Sequence, residues 1–106
     1  MNPLKSNDTL KYAIELQQCL FEIEKDIDGH LLTRGDWNHI LEISNWFKIN
    51  QEIVLGTPLS SCLERINTVE REGGPAQGNI KLLTEAIESI TKFIGTIIPK
   101  HKKKAA

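Results

Sequence analysis

Four short stretches of the chain carry residue types and spacings that could do chemistry. Glu24, Asp26 and Asp28 alternate ahead of Gly29 and Leu31, the order in which a calcium loop places its first oxygen ligands, its turn glycine and its apolar site. The twelfth position of such a loop needs a bidentate Glu and holds Gly35, so the segment reads as an acidic helix end closed by a glycine. Gly73 and Gly78 have the outer glycine spacing of a phosphate-binding loop. Asn79 and Ile80 occupy the positions where the phosphate-binding Lys and the magnesium-binding Ser or Thr belong, so loop and cap explain this stretch better.

Asp36-x-x-His39 and Glu85-x-x-Glu88 have the spacing found in carboxylate-bridged metal centres of helical bundles. Such a centre needs two Glu-x-x-His pairs and inward carboxylates from four helices. Here one Asp-x-x-His exists, Asp36 also suits a helix start, and Glu85 and Glu88 flank an apolar stripe, so a solvated face is expected. Ser60, Ser61, Cys62, His30 and His39 supply the types needed for nucleophilic catalysis without a recognisable local context. No cofactor, metal or small-molecule substrate is expected, and the chain reads as non-enzymatic.

The elements that must position these residues are helical nearly throughout. Asn7 or Asp8 can cap a first helix whose seam is Ala13, Leu16, Leu20, Ile23 and Ile27, stepping by three and four residues. Thr33 and Asp36 give a capping-box-like start to a second helix through Trp37, Ile40, Leu41, Ile43 and Phe47. Thr57 as cap and Pro58 at the first helical position open a third, carrying Leu59, Cys62, Leu63, Ile66 and Val69 until Gly73-Gly74-Pro75. The last begins at Pro75 or Asn79 and repeats Ile80, Leu83, Ile87, Ile90, Ile94 and Ile97 before Pro99. The prediction is an all-α fold: a small antiparallel four-helix bundle with helices over about 8–27, 34–53, 58–72 and 76–98. Residues 1–7 read as a polar leader, 8–99 as a single domain and 100–106 as a basic tail.

The helices carry more apolar surface than one stripe each. Trp46, Ile49 and Ile53 lie at i, i+3 and i+7, roughly opposite Ile40, Ile43 and Phe47. Such a stripe must pack on something: the helix is central or unwinds near Asn50 and folds its end inward, it pairs with a second copy as a homodimer, or it meets another protein. Leu10, Ile14 and Phe21 flank the seam of the first helix on one side, Tyr12 and Cys19 on the other; Leu82, Ala86 and Phe93 broaden the last helix.

Bulk composition limits the function classes. The 106 residues are 40% hydrophobic and 25% charged, an ordinary globular mix. Cys19 and Cys62 are far apart and fall on apolar faces, which argues for free thiols and a reducing compartment. The amino terminus lacks the apolar stretch of a secretory signal and no apolar run reaches the ~18–20 residues of a membrane span, so a cytoplasmic location is expected. Four of the thirteen Lys and Arg residues are Lys100, Lys102, Lys103 and Lys104, leaving residues 1–99 with nine basic against fourteen acidic side chains. An acidic body argues against nucleic-acid binding by the bundle itself.

These readings converge on a small protein-binding module of the adaptor, inhibitor, immunity or antitoxin kind, docking an apolar patch on a partner by steric fit. Trp46, Ile49 and Ile53 would form the patch, and the acidic cluster around Glu22 and Asp26 would suit a basic partner. The rival expectation is association of the tail, Lys100, Lys102, Lys103 and Lys104, with nucleic acid or anionic membrane.

Overall fold

Proline has its φ preset for the first turn of a helix and lacks the N–H that such a turn would leave unbonded. The first helix accordingly starts at Pro3, ahead of Asn7 and Asp8, which the sequence reading had offered as caps. A computed structural model describes residues 3–28 and 34–97. Within them the chain forms α1 (Pro3–Asp28), α2 (Arg34–Ile49), the single-turn α3 (Gln51–Val54), α4 (Pro58–Arg71) and α5 (Ile80–Ile97), with one 3₁₀ turn at Gln77–Asn79. The architecture is all-α, a small helical bundle, as the periodicity requires.

Bonds between the helices give their directions. Gln17 donates to Thr91 at 2.9 Å and Glu24 accepts from Thr84 at 2.5 Å, while the Gln77 side chain reaches the Ile27 carbonyl at 3.3 Å. Residue numbers rise along α1 as they fall along α5, so the two helices run antiparallel. The same test holds for α1 and α2, where Glu15 meets His39 and Tyr12 meets Trp46. The most extensive interfaces are α4 with α5 and then α1 with α5. Helix α5 thus sits between two neighbours, which explains why Ala86 and Phe93 are buried beside the heptad residues Leu83, Ile87, Ile90 and Ile94.

The predicted seams are the core. Ala13, Leu16 and Leu20 of α1, Trp37, Ile40 and Phe47 of α2, and Leu59, Cys62, Ile66 and Val69 of α4 are all fully buried. Trp37 meets the polar requirement of its ring by donating from Nε1 to Glu70 at 2.7 Å, and Lys48 donates to Asn67 at 2.7 Å. Both bonds reach one turn of α4, from positions eleven residues apart on α2.

The second helix does not continue to residue 53. The Asn50 backbone N–H is shared between the Trp46 and Phe47 carbonyls at 3.2 and 3.1 Å, and its side-chain amide donates to the same Trp46 carbonyl at 2.7 Å, the local side-chain-to-backbone bonding that Asn readily makes. The chain restarts as α3, swings through Leu55 and Gly56, and reaches the predicted cap. Thr57 Oγ1 accepts from the Leu59 N–H at 3.3 Å, with Pro58 in the first turn of α4. At the other end of α4, Gly74 N–H bonds the Val69 carbonyl at 2.8 Å and Gly73 N–H bonds the Glu70 carbonyl at 3.4 Å. This is the Schellman pattern, and Gly73 fills its left-handed position with φ 105°.

Candidate protein-docking surface

The break at Asn50 divides the second apolar stripe of α2 into three different environments. Trp46, on the last full turns of α2, is half-buried: its ring lies 4.6 Å from that of Tyr12 on α1 and 5.1 Å from that of Phe47. Ile53, on α3, is turned partly inward and packs against the core beside the buried Val54. Ile49 ends α2 in solvent with 81% of its surface exposed. Leu55, which the periodicity did not single out, is 69% exposed at the far side of the same turn. Ile49 and Leu55 therefore bracket α3 while Ile53 and Val54 anchor it. The sequence signal for Leu55 was its place beside Gly56, after the inward-facing pair and outside any helical stripe.

The other predicted members lie elsewhere. Glu22 is exposed and Asp26 half-buried on α1. Tyr12 marks the level of Trp46 on α1, and at 1.5 Å per residue Glu22 and Asp26 stand about 15 and 21 Å along the helix from it. The structure does not bring the acidic pair and the apolar corner into one patch. The charges nearest the corner are of both signs: the Lys11 ammonium is 5.8 Å from the Tyr12 ring centroid, Lys48 immediately precedes Ile49, and Glu52 is exposed on α3. Two further apolar residues, Ile14 and Phe21, are exposed seven residues apart on the outer face of α1.

Each chemical constellation can also be placed. Residues 24–28 continue α1, so Glu24 and Asp26 point about 200° apart around the helix axis and do not converge as loop ligands; Gly29 and Leu31 lie outside the described residues. The glycine stretch at 73–78 serves the turn into α5, where the buried Asn79 amide donates to the Gly74 carbonyl at 2.7 Å. Asp36 is exposed in the first turn of α2, where a carboxylate complements the helix dipole. His39 is engaged by Glu15 across the α1–α2 seam at 2.5 Å and faces Glu42 at 3.6 Å. Glu85 accepts from Arg65 at 2.9 Å between α5 and α4, while Glu88 is exposed. Among the described residues no group of three His, Cys, Asp or Glu side chains could hold a metal ion.

Burial pushes the Cys62 thiol up to about 12, which keeps it protonated. Burial, with the negative charges of Glu15, Asp36 and Glu22, also raises Cys19. Neither sulfur is held as a thiolate nucleophile at neutral pH. The tail residues Lys100, Lys102, Lys103 and Lys104, and His30, fall outside the described residues. Among the described residues no helix is long and apolar enough to cross a membrane. The chain matches no family model, no curated protein and no solved structure.

Proposed function

We propose that this protein is a small binding module that docks on a partner protein through the α2–α3 corner. The observation that carries the reading is the pair Ile49 and Leu55, 81% and 69% exposed, which bracket a turn whose other apolar residues are anchored inward. Burying an Ile or Leu side chain against a partner contributes about 1.5–3 kcal/mol, so the two exposed residues flanking α3 could supply much of a docking contact. Trp46, packed against the rings of Tyr12 and Phe47 one turn before Ile49, is half-buried and adds apolar surface for the same partner. The action is steric: an occupied partner surface is blocked or positioned. Glu22 and Asp26, being distant from the corner, contribute to steering a basic partner instead of rimming the contact.

The test is capture of binding partners from the native source with tagged wild-type protein beside an Ile49→Asp, Leu55→Asp double variant. Circular dichroism first establishes that the variant is folded. The expected result is a stoichiometric protein partner whose affinity falls at least about tenfold, or ~1.4 kcal/mol, in the variant. A partner retained at full affinity would overturn the reading. So would recovery of only nucleic acid or anionic lipid, lost when residues 100–106 are removed.

A further inference from the structure

We infer that His39 is a proton-operated clasp between α1 and α2, holding Glu15 across the seam and Glu42 on its own helix when its ring is charged. The inference is independent of the docking surface. His39 Nε2 lies 2.5 Å from Glu15 Oε2, and Nδ1 lies 3.6 Å from Glu42 Oε1. Each ring nitrogen faces a carboxylate, and only the imidazolium carries an N–H on both. The neutral ring, in its Nε2–H form, keeps the bond to Glu15 but turns a lone pair toward Glu42. Losing the proton therefore weakens the clasp in a graded way, through charge, without opening it outright.

The surroundings favour the charged form. Asp36 stands one turn before His39 on α2, and the Cys19 thiol on α1 feels the negative charges of Glu15, Asp36 and Glu22 together, which gathers these carboxylates along one seam. Among the described side chains of the same two helices, Lys11 lies over the Tyr12 ring, Lys48 donates to Asn67, and Lys25 is exposed near the far end of α1. From α4 the charged group that meets α2 is Glu70, which takes the Trp37 indole N–H, and from α3 it is Glu52, beyond Asn50. The hydrogen bond to Glu15 holds the His39 titration above its ordinary value, slight burial opposes it, and the charges of Glu15 and Glu42 add to the rise. A histidine raised on folding contributes stability that is fully present below its unfolded value of ~6.5 and is lost as pH rises through the folded value above it. The α1–α2 seam is thus tighter at mildly acidic pH than at alkaline pH.

The experiment is an NMR titration of the His39 ring, assigned by its disappearance in His39→Gln, in the wild type, Glu15→Gln and Glu42→Gln. It is paired with urea unfolding of wild type and His39→Gln at pH 5.5 and pH 8.5. The expected midpoint lies above ~6.5, falls in Glu15→Gln, and falls by less in Glu42→Gln. Between the two pH values the folding equilibrium constant of the wild type should drop roughly two- to fivefold more than that of His39→Gln, the range of an exposed ion pair. A midpoint at or below 6.5, a midpoint unmoved by Glu15→Gln, or identical pH dependence in the two proteins would overturn the clasp.

Discussion

Trp37 and Trp46 sit on one helix nine positions apart and behave oppositely because of what each ring meets. Trp37 is fully buried and satisfies its indole N–H on Glu70, whereas Trp46 packs between aromatic rings and keeps part of its edge in water. Ser44, beside them on α2, is 1% exposed, and its hydroxyl has no hydrogen-bond partner among the described residues. A buried, unbonded hydroxyl is a destabilising feature. Ser44→Ala should therefore leave stability unchanged or raise it by about 1 kcal/mol in urea denaturation; a clear loss would mean that the hydroxyl has a role in folding. Cys62, fully buried and protonated, should react with a thiol reagent only on unfolding, at a rate that tracks the denaturant curve. Measuring labelling rates against urea concentration checks this.

Helix ends are where local sequence and structure agree most closely. Thr57 caps α4 as its type and the following Pro58 require, and Thr57→Ala should cost about 1 kcal/mol in thermal or urea unfolding. Gly73 holds φ 105°, a backbone conformation that side chains rarely adopt, and open space surrounds its α-carbon. Gly73→Ala therefore tests backbone strain without steric clash, and a loss of about 1–2 kcal/mol is expected in the same assay. The break at Asn50 was one of the alternatives that the surplus apolar stripe left open. Periodicity continues through Ile53, whereas in the structure the Asn50 N–H is shared between two carbonyls, its side-chain amide bonds Trp46, and Ile53 and Val54 pack inward on a new turn. The early start of α1 at Pro3 has a local cause, the preset φ of proline.

At the scale of the whole molecule, the difference between core and corner makes a direct comparison possible. Ile90 is fully buried on α5, and Ile90→Ala should cost about 2–5 kcal/mol. Ile49→Asp, in solvent, should stay within about 0.5 kcal/mol of wild type while altering association. Paired urea curves and sedimentation or binding measurements separate these effects. Equal destabilisation by the two changes would place Ile49 in the folded core of a larger assembly. Of the proposed docking stretch, the apolar stripe of Trp46, Ile49 and Ile53 was legible in the sequence, whereas the exposure of Leu55 and the distance of Glu22 and Asp26 from that stripe were not, because both depend on how the helices pack.

The sequence by itself determined the all-α class, the apolar seams and the caps around Thr57 and Gly73. Each depends on hydrogen bonds and side-chain spacing within a few residues along the chain. Tertiary structure alone decided which apolar residues beyond those seams find cover. Tyr12 reaches Trp46 from another helix, Val54 is drawn into the core, and Ile49 and Leu55 are left in water. The same holds for His39, whose alignment with Glu15 depends on how α1 and α2 pack. Burial and charge pairing of this kind are set by residues distant in sequence, so a repeat of three and four can mark a face as apolar without naming what will meet it.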